Sequence, residues 1–488
     1  MDTLRDFLAE YWPHLAFLTT FGISAIAAVH AAMSKRDVRA AIGWVAVILF
    51  SPLFGTFFYL IAGINRIRQD KVHQEHNAAI TCPIQHGGRH AVTNLGPFAP
   101  RHLWSQKILG DHISGFPLLT NSSIQALDGG PETYPAMLAA IRNARHSVAM
   151  TSYIFDCDAI GKEIAEALID ARKRGLEVRV LIDAIGARYS HPPITSMLLR
   201  GGVQTALFMN TAFGLRLAYA NLRSHRKIMI IDGTLALTGG MNIREEFITP
   251  AKGGTPARDA HFRLEGPIVS QLMHIFAQDW KFSTHETLEG PPWFPEDLPP
   301  APDNMHPTAI RVVASGPDQN IGSTHNMILG ALAVAERSVR IHTPYFLPDQ
   351  PLIAALNTAA RRGIAVDIVI PSNNNLRMVD YAMTAQLDQI LGSGCRVWRA
   401  HGIFDHAKLL TVDGAWSYVG TSNLDPRSLR LNFEVDMEVY DPALAAWITR
   451  RIDSAITQSS PETLETLRAR PRLKQLRNRL IWLASPYL

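Results

Sequence analysis

Cysteine is scarce in this chain, with three residues among 488, at Cys82, Cys157 and Cys395. They are odd in number and lie far apart. They show neither the close spacing of a zinc or redox motif nor the framework of a disulfide-rich domain. We therefore interpret all three as ordinary thiols, and we expect no metal site built on them.

Charge is absent from two long N-terminal stretches, one between Glu10 and Lys35 and the other between Arg39 and Arg66. Each is long enough to cross about 30 Å of bilayer hydrocarbon as a helix. Buried helices of soluble proteins rarely stay uncharged over such a length. A cleaved signal peptide is disfavoured because the start is largely acidic and the second stretch follows at once. We therefore predict a two-helix transmembrane hairpin within residues 1–70.

The flanking charges leave the orientation of this hairpin open. Pro52 and Gly55 interrupt the second stretch, but both residue types are tolerated in membrane helices. The comparison that the positive-inside rule requires is nearly balanced between the two ends. The basic residues are Lys35, Arg36 and Arg39 at the connection, and Arg66, Arg68 and Lys71 at the exit, with Arg5 on the exit side.

The composition is not that of a disordered chain, because 47% of the residues are apolar. A chain of 488 residues is too long for one ordinary core, so two globular units are expected. The formal net charge of +4 suits an anionic surface such as phospholipid headgroups or nucleic acid. So small an excess assigns no partner by itself.

A histidine-lysine motif, H-x-K-x-x-x-x-D, occurs twice in apolar, β-branched runs that are typical of buried strands. Side chains two residues apart share a strand face, so each histidine and its lysine lie on one face. A neutral imidazole can attack or carry a proton, and an ammonium beside it can hold an anion. The copies agree at five positions: His225, Lys227, Asp232, Gly239 and Asn242 in the first, and His406, Lys408, Asp413, Gly420 and Asn423 in the second.

The aspartates of the motif have the wrong parity for this face. Asp232 and Asp413 each follow their histidine by an odd number of residues, which places them on the opposite side of the strand. We interpret both as structural residues that tie the strand to neighbouring backbone.

These residues resemble those of the phospholipase D superfamily, and within it the chain is most similar to bacterial cardiolipin synthases. The likeness extends to Phe57–Gly63 followed by Asn65 and Arg66, to Thr343–Asp349, and to Asn423–Ser428 with Asn432–Glu434. It implies an α/β fold with two tandem phospholipase D-like domains that form one composite active site, preceded by the transmembrane hairpin.

The strand and helix order supports such a repeat. A strand at Ser147–Phe155, a helix at Ala159–Arg174 and a strand at Glu177–Ile185 predict a parallel pair, and the order returns after a proline-rich segment. The predicted domains are a hairpin (1–70), a connector (71–120), a first catalytic domain (121–290), a linker (291–307), a second catalytic domain (308–460) and a basic amphipathic tail (461–488).

Two of these segments have less specific sequences. We expect the connector histidines to belong to a solvated linker, because they are irregularly spaced among Gly and Pro. The tail is either a membrane-surface helix or a helix packed on the catalytic body. The connector histidines are His73, His76, His86 and His90.

The resemblance implies covalent phosphodiester exchange, with His225 as the nucleophile and His406 as the acid and base. Lys227 and Lys408 would hold the phosphoryl oxygens, with hydrogen bonds from Asn242 and Asn423, and neither a metal nor another cofactor is expected. The family pattern also implies one orienting carboxylate for each histidine, at Asp259 and Glu434. Ala257 departs from the tryptophan that the family often has there. Asp232 and Asp413 belong to the catalytic set only as members of the family motif.

The implied function is a cardiolipin synthase of the bacterial inner membrane, a multi-pass protein that moves a phosphatidyl group between two phosphatidylglycerol molecules and releases glycerol. Phosphatidylethanolamine is a second candidate substrate. A phospholipase D or phosphatidylserine-type synthase would use the same residues with another acceptor. A nuclease is disfavoured by the hairpin, so no nucleic acid partner is expected. An inactive membrane scaffold is disfavoured by the intact histidines and lysines. The oligomeric state stays open.

Overall fold

The computed structural model describes residues 2–35, 37–63, 76, 88, 90–209, 222–249, 256–296 and 308–485. Most of the predicted linker, residues 297–307, lies outside this part of the chain, as do His73 and His86 of the predicted connector. The chain divides into two compact units, Met1–Arg68 and Gln69–Leu488.

The N-terminal unit contains the helices α1 (Asp2–Ser34), α2 (Val38–Phe50) and α3 (Pro52–Phe58), and α3 continues into a π-helical segment, Tyr59–Gly63. Within the described residues, one helical stretch is long and apolar enough to cross a membrane, Tyr11–Ser34. The first predicted span is therefore present as a single helix.

The second predicted span is broken, so the structure does not support a multi-pass hairpin. Ser51 leaves helical geometry, with φ −139° and ψ 74°, and Pro52 begins the next helix. Proline lacks an N–H group and its ring clashes with the carbonyl four residues earlier, so the preceding helix ends there. The resulting helices of 13 and 7 residues are each shorter than a bilayer span.

The C-terminal unit is built on one continuous sheet that contains all sixteen strands of the described residues. The order across the sheet is β16-β12-β11-β10-β13-β14-β15-β9-β1-β8-β7-β6-β2-β3-β4, and the short β5 pairs with β15 outside this path. The strands are β1 (Leu119–Asp128), β2 (Ser147–Ser152), β3 (Glu177–Asp183), β4 (Gln204–Phe208), β5 (Arg223–Ser224), β6 (Ile228–Ile231), β7 (Leu235–Gly239), β8 (Ala260–Glu265), β9 (Thr308–Ser315), β10 (Ser338–His342), β11 (Ala365–Pro371), β12 (Arg396–Ala400), β13 (Leu409–Val412), β14 (Trp416–Gly420), β15 (Asn432–Tyr440) and β16 (Ser459–Glu462).

The sheet contains the same arrangement twice, which confirms the predicted tandem repeat. Outward from β1 the first half runs β8, β7, β6, β2, β3 and β4, and outward from β9 the second half runs β15, β14, β13, β10, β11 and β12. β1 and β9 pair antiparallel at the junction, with Leu119 opposite Ile310. The motif strands β6 and β13 therefore occupy equivalent positions in the two halves.

The helices of the C-terminal unit connect these strands. The predicted parallel pair is present as β2 and β3, joined by a helix that Asp158 caps through a 2.8 Å hydrogen bond from the Gly161 amide. The α-helices are Trp104–Ile113, Gly130–Asn143, Ala159–Lys173, Ile194–Arg200, Ile268–Thr284, Ser323–Val334, Gln350–Arg361, Arg377–Gln386, Asp388–Leu391, Pro426–Arg430, Pro442–Thr457, Leu464–Arg468 and Arg472–Trp482, with 3₁₀ turns at Arg101–Leu103, Gly186–Arg188 and Glu245–Phe247.

The connector residue His76 is fully buried, which corrects its assignment to a solvated linker. Its Nε2 lies 3.0 Å from a carboxylate oxygen of Asp279, and its Nδ1 lies 2.9 Å from a carboxylate oxygen of Asp318. Asp279 also pairs at 2.6 Å with Arg226, the residue after His225. The connector therefore contributes a side chain to the interior of the C-terminal unit.

The basic tail packs on the C-terminal unit through one of its faces. The guanidinium of Arg477 stands 3.6 Å from the ring centroid of Tyr381, which lies in the helix Arg377–Gln386. Trp482 packs against the core of the second half. One face of the tail is therefore packed on the catalytic body, which was one of the two alternatives that the sequence left open. The other face exposes Leu473, Leu476, Leu480 and Leu483.

Candidate active site

Each motif histidine is positioned by backbone pairing with the other half of the chain. β5 lies parallel to β15, and the backbone N–H of His225 donates to the carbonyl of Phe433 at 2.8 Å. In the equivalent place, a bridge joins Arg258 to Asp405, and the N–H of His406 donates to the carbonyl of Arg258 at 2.7 Å. The repeat therefore brings each histidine next to backbone of the opposite half.

This pairing places a carboxylate of the other half beside each imidazole. The Nδ1 atom of His225 lies 2.9 Å from Glu434, and the Nδ1 atom of His406 lies 2.9 Å from Asp259. Both carboxylates have no exposed surface. The sequence named the two carboxylates without saying which histidine each one orients, and the structure pairs them across the halves.

A cleft of about 240 Å³ opens between the halves, and both histidines line it. Nδ1 of each ring faces its carboxylate, which leaves the Nε2 atom of His225 for chemistry. Nε2 of His406 also lies 3.1 Å from the Nζ atom of Lys408. The cleft wall also contains residues of both halves, among them Tyr153, Arg223, Asn242, Arg244, Tyr345, Asn423, Asp425 and Arg427.

Both motif lysines are buried beside their histidines. The Nζ of Lys227 donates to the His225 carbonyl at 2.7 Å, and the Nζ of Lys408 lies 2.8 Å from Nδ1 of His406. The His-Lys pairs lie just before β6 and β13 rather than within a strand, and each ammonium contacts its own histidine. Desolvation by burial lowers the pKa of Lys227 to about 7 and that of Lys408 to about 8.

Burial also keeps both imidazoles neutral. Desolvation, with help from the two lysines, lowers the pKa of His225 well below its ordinary value, and desolvation with Lys408 lowers the pKa of His406 to about 4. A neutral ring has a lone pair that can attack or accept a proton.

The two carboxylates differ in their ionisation. Desolvation raises the pKa of Glu434, and Lys227 only partly opposes this effect. For Asp259, Lys408 and His406 outweigh desolvation, so its pKa falls below the ordinary value. The carboxylate beside His406 is thus the more firmly ionised of the two.

The two motif asparagines are buried at the cleft wall. Asn242 accepts a hydrogen bond from the Ile154 amide at 3.2 Å through its side-chain oxygen. Asn423 donates to the Ser428 hydroxyl at 3.3 Å, and its own side-chain oxygen has no partner among the described residues. Both side chains therefore keep polar atoms next to the histidines.

Comparison with known proteins identifies the family. The sequence profile described as "Cardiolipin synthase, PLD-like domain" matches residues 137–280 and 328–456, which together are more than half of the chain. Cardiolipin synthase A of Pseudomonas entomophila is 31% identical over 476 residues, covering 96% of this chain and 96% of that protein. The chain belongs to the cardiolipin synthase family. Cardiolipin synthase 2 of Bacillus anthracis is 30% identical over 456 residues, covering 93% of this chain and 88% of that protein.

Two further comparisons concern parts of the family architecture. A profile described as "Phospholipase_D-nuclease N-terminal" matches residues 22–63, within the N-terminal unit. The crystal structure of phosphatidylserine synthase from Haemophilus influenzae is similar with a TM-score of 0.59 at 17% identity, over 78% of this chain and 100% of that one. At this identity the similarity concerns the fold alone.

The aspartates of the family motif face away from the cleft. The Asp232 carboxylate accepts hydrogen bonds of 2.7 to 3.2 Å from the amides of Arg145, His146 and Ser147. The Asp413 carboxylate accepts hydrogen bonds of 2.8 and 2.9 Å from the amides of 336–338, together with a contact of 2.8 Å to His102. Both aspartates have positive φ, 52° and 57°, at the turn that follows each motif strand.

Several residues outside the predicted site set contact its members. Thr421 donates to Glu434 at 2.6 Å, and Asn432 donates to its other oxygen at 3.0 Å. Tyr153 stands edge-on to His225, with ring centroids 5.1 Å apart, and Tyr345 does the same to His406 at 5.9 Å. In the part of the chain that the structure describes, no group of three or more His, Cys, Asp or Glu side chains is arranged to hold a metal ion.

Proposed function

We propose that this family member is a cardiolipin synthase, which transfers a phosphatidyl group from one phosphatidylglycerol to a second and releases glycerol. The single observation that carries the proposal is the cross-half pair of histidine–carboxylate contacts in one cleft. The names of the curated relatives along almost the full chain supply the substrate class. The cleft is then one composite active site that neither half contains alone.

In the proposed first step, Nε2 of His225 attacks the phosphorus of the donor lipid. The bond from phosphorus to the glycerol oxygen breaks, and His406 gives its proton to that oxygen. The product is a phosphohistidine at His225 and a neutral His406. Bound phosphodiester adds negative charge next to Lys408, which raises the pKa of His406 and favours the protonated state needed for this step.

In the proposed second step, the acceptor is a hydroxyl group of the second phosphatidylglycerol. Neutral His406 takes the hydroxyl proton, the oxygen attacks phosphorus, and the bond from phosphorus to Nε2 of His225 breaks. His406 ends protonated and His225 ends free, so the cycle is complete.

The unequal carboxylates support this assignment of roles. An imidazolium is best stabilised beside a carboxylate that is ionised, and Asp259 next to His406 has the lowered pKa. Glu434 next to His225 has the raised pKa, so a positive charge there is less well supported. We therefore assign the proton carrier to His406 and the nucleophile to His225.

The two buried lysines, together with the two asparagines of the cleft wall, would stabilise the phosphoryl oxygens. Lys227 and Lys408 supply positive charge in a buried setting, where it acts more strongly than in water. Asn242 and Asn423 add hydrogen bonds to the same oxygens. The positive charge needed to stabilise the phosphoryl oxygens would thus come from lysine side chains of the protein.

The N-terminal unit would hold the enzyme at the bacterial cell membrane, where its substrates are. The stretch Tyr11–Ser34 supports this location, because it is long and apolar enough to cross a bilayer. Phosphatidylglycerol is the proposed donor and acceptor, with phosphatidylethanolamine as a second donor to be tested.

The test is mass spectrometry of lipids after incubation of detergent-purified protein with phosphatidylglycerol. Cardiolipin and free glycerol from phosphatidylglycerol alone are the expected products. If cardiolipin forms only after phosphatidylethanolamine is added, phosphatidylethanolamine is the donor of the phosphatidyl group. Phosphatidic acid as the sole product would make water the acceptor and contradict the synthase proposal. His406→Ala protein is the control for product formed without the site.

A further inference from the structure

We propose that residues 38–63 form a re-entrant hairpin, which enters the membrane from the Lys35 side, turns near mid-depth and leaves on the same side. The N-terminal unit would then cross the bilayer once, through Tyr11–Ser34. This inference concerns membrane topology and does not depend on the proposed reaction.

The first observation is that α3 runs back along α2. Trp44 in α2 packs edge-on against Tyr59, with ring centroids 5.4 Å apart. Nearer the turn, Gly55 lies so close to the backbone of Val47 that an added Cβ would stand 2.1 Å from the Val47 carbonyl oxygen. The contacts join later residues of one segment to earlier residues of the other, so the two helices are antiparallel.

The second observation is that α3 runs parallel to the last part of α1. The Ser24 hydroxyl donates to the Pro52 carbonyl at 2.9 Å, and Nδ1 of His30 lies 2.6 Å from the Tyr59 hydroxyl. The Lys35 ammonium donates to the Gly63 carbonyl. Gly63 therefore lies at the same end of the unit as Lys35, and the segment 38–63 returns to the end from which it started.

The lengths fit a half-depth hairpin. α2 has 13 residues and is about 20 Å long at about 1.5 Å per residue, against a hydrocarbon core of about 30 Å. Ser24, which contacts the turn, lies about 15 Å before the end of α1 at Ser34. The turn at Ser51 and Pro52 is thus level with the middle of the spanning helix.

The turn also meets the demands of a low-dielectric setting. Irregular backbone inside a membrane persists only where protein satisfies its polar groups. Pro52 has no N–H group, its carbonyl accepts from Ser24, and the Ser51 amide donates to the Val47 carbonyl at 3.1 Å. Ser24 is 2% exposed and also contacts the Thr56 hydroxyl at 3.0 Å. A buried serine in the middle of an apolar span thereby has a structural role.

This topology decides the orientation that the sequence left balanced. With Lys35 and Gly63 at one end of the unit, the sequences that flank both ends of the re-entrant segment count toward the same side in the positive-inside comparison. The other end of α1 has Arg5 among Asp2, Asp6 and Glu10. By the positive-inside rule the basic side is cytoplasmic, so the chain leaves the membrane into the cytoplasm. The basic set is Lys35, Arg36, Arg39, Arg66, Arg68 and Lys71.

The test uses single cysteines in the full chain after Ser replacement of Cys82, Cys157 and Cys395. Thr3→Cys marks the start of α1, and Asn94→Cys marks an exposed position in the C-terminal unit. A membrane-impermeant maleimide should label Thr3→Cys in intact spheroplasts and Asn94→Cys only in inverted vesicles. A two-span hairpin predicts that both cysteines react from the same side, and that result would overturn the proposal. Labelling of Asn94→Cys in intact spheroplasts would also overturn it.

A second inference concerns the cleft and rests on the proposed function. We infer that Arg427 binds the phosphate group of the acceptor lipid. Arg427 lines the cleft in the short helix Pro426–Arg430. Its Nε atom is buried and has no hydrogen-bond partner among the described residues. Its charge acts on the buried carboxyl of Asp425, but the two side chains form no ion pair. Arg244 on the same cleft instead pairs with Asp156 at 2.6 Å and with Glu246 at 2.9 Å.

The reaction supplies a ligand for such an unpaired guanidinium. Two phosphatidylglycerol molecules bring two phosphodiesters into one cleft, and the lysines and asparagines serve the one that is attacked. The phosphate of the acceptor keeps its negative charge throughout and stands one glycerol away from the attacking hydroxyl. A guanidinium matches a phosphate through paired N–H donors. Small acceptors such as glycerol have no such group, so Arg427 would select a phospholipid acceptor.

The test compares two acceptors in Arg427→Gln protein. Cardiolipin formation from phosphatidylglycerol should fall roughly 10- to 100-fold, as expected for the loss of one hydrogen bond to a charged group. Exchange of labelled glycerol into phosphatidylglycerol should stay near the wild-type rate, because donor attack is intact. Arg427→Lys should recover part of the loss. Arg430→Gln is the matched control, since Arg430 lies in the same helix with its side chain 65% exposed.

Equal loss of both reactions in Arg427→Gln, or loss of neither, would overturn the role of Arg427. Failure of the proposed function gives a different result, because wild-type protein would then exchange glycerol without forming cardiolipin.

Discussion

Nδ1 of His225 in the first half of the chain lies 2.9 Å from Glu434 in the second half, and His406 has the reciprocal contact with Asp259. The carboxylates come from β15 and from the segment before β8, which pair with the backbone just before each histidine. Each half therefore supplies one histidine and the carboxylate that orients the other. An isolated half would lack an orienting group and is expected to be inactive.

The two carboxylates should differ in the step that they support. Glu434→Gln and Asp259→Asn are each expected to lower turnover with phosphatidylglycerol by about 10²- to 10⁴-fold, the range for loss of acid–base function. A donor with a good leaving group, phosphatidyl-p-nitrophenol, needs no acid in the first step. Release of p-nitrophenol in a first-turnover burst should therefore return in Asp259→Asn but not in Glu434→Gln. A burst in Glu434→Gln alone would reverse the assigned roles.

The buried lysines predict an alkaline limit to activity. Desolvation by burial lowers the pKa of Lys227 to about 7 and of Lys408 to about 8, so their positive charges are lost as the pH rises through this range. Because we propose that those charges hold the phosphoryl oxygens, kcat/KM with phosphatidylglycerol should fall between about pH 7 and 9. The measurement is a pH profile in mixed micelles at constant ionic strength. A value that stays flat to pH 10 would contradict the role of the lysines.

Asp232 is expected to matter for stability and not for chemistry. Its carboxylate binds three consecutive amides, and its φ of 52° is unfavourable for an alanine. Asp232→Ala should lower the free energy of unfolding by roughly 3 kcal/mol, from lost charge-assisted hydrogen bonds and backbone strain. Turnover per folded molecule should stay within a few-fold of wild type. Thermal unfolding and active-site titration test this, and lost turnover at unchanged stability would assign Asp232 a chemical role.

His76 is expected to stabilise the C-terminal unit in a pH-dependent way. Burial lowers its pKa, but Asp279 and Asp318 outweigh that effect and the net pKa is raised. His76→Ala removes one partner of a buried ion pair and should cost roughly 3–5 kcal/mol. A raised pKa gives stability that is full below the ordinary histidine value and is lost as the pH rises through the folded value. The gap between wild type and variant should therefore narrow at high pH.

The control for this prediction is His90→Ala. His90 belongs to the same connector, and its ring contacts Asn121 at 3.1 Å in an exposed setting. It should lower the unfolding midpoint little at any pH. A gap for His76→Ala that widens with rising pH would show that the histidine is not the charged member of the cluster.

The sequence was sufficient to predict the tandem α/β repeat, and four of the residues that it named line the cleft, His225, Asn242, His406 and Asn423. Hydrophobic periodicity and turn residues are local features of a sequence. The bounds of the strand and the helix on either side of Asp158 could therefore be predicted to within a few residues. The duplicated motif also marked both histidine–lysine pairs as candidate site residues. The odd spacing from each histidine predicted that the motif aspartates lie on the opposite face of the strand. The contact of each histidine with a carboxylate from the other half could not be predicted, because it depends on long-range pairing such as that of β5 with β15.

Two predictions made from local composition were wrong, because long-range contacts determine the structure at those positions. His76 lies among polar residues typical of a linker, yet two distant carboxylates hold it in the interior. The stretch after Arg39 has the hydropathy of a spanning helix, and Pro52 alone did not predict a break, because proline is tolerated in membrane helices. The break is accompanied by a hydrogen bond from the distant Ser24 hydroxyl to the Pro52 carbonyl. Neither effect has a signature in residue spacing.

The two-histidine mechanism is tested most directly by finding which histidine carries the phosphatidyl group of the covalent intermediate. His406→Ala protein is mixed with phosphatidyl-p-nitrophenol, quenched and digested under neutral conditions, and its peptides are mapped by mass spectrometry. The account predicts one phosphatidyl group on His225, with a stoichiometric burst of p-nitrophenol and slow turnover afterwards. Contradiction would come from His225→Ala protein trapping the group on His406 while His406→Ala protein stays unmodified.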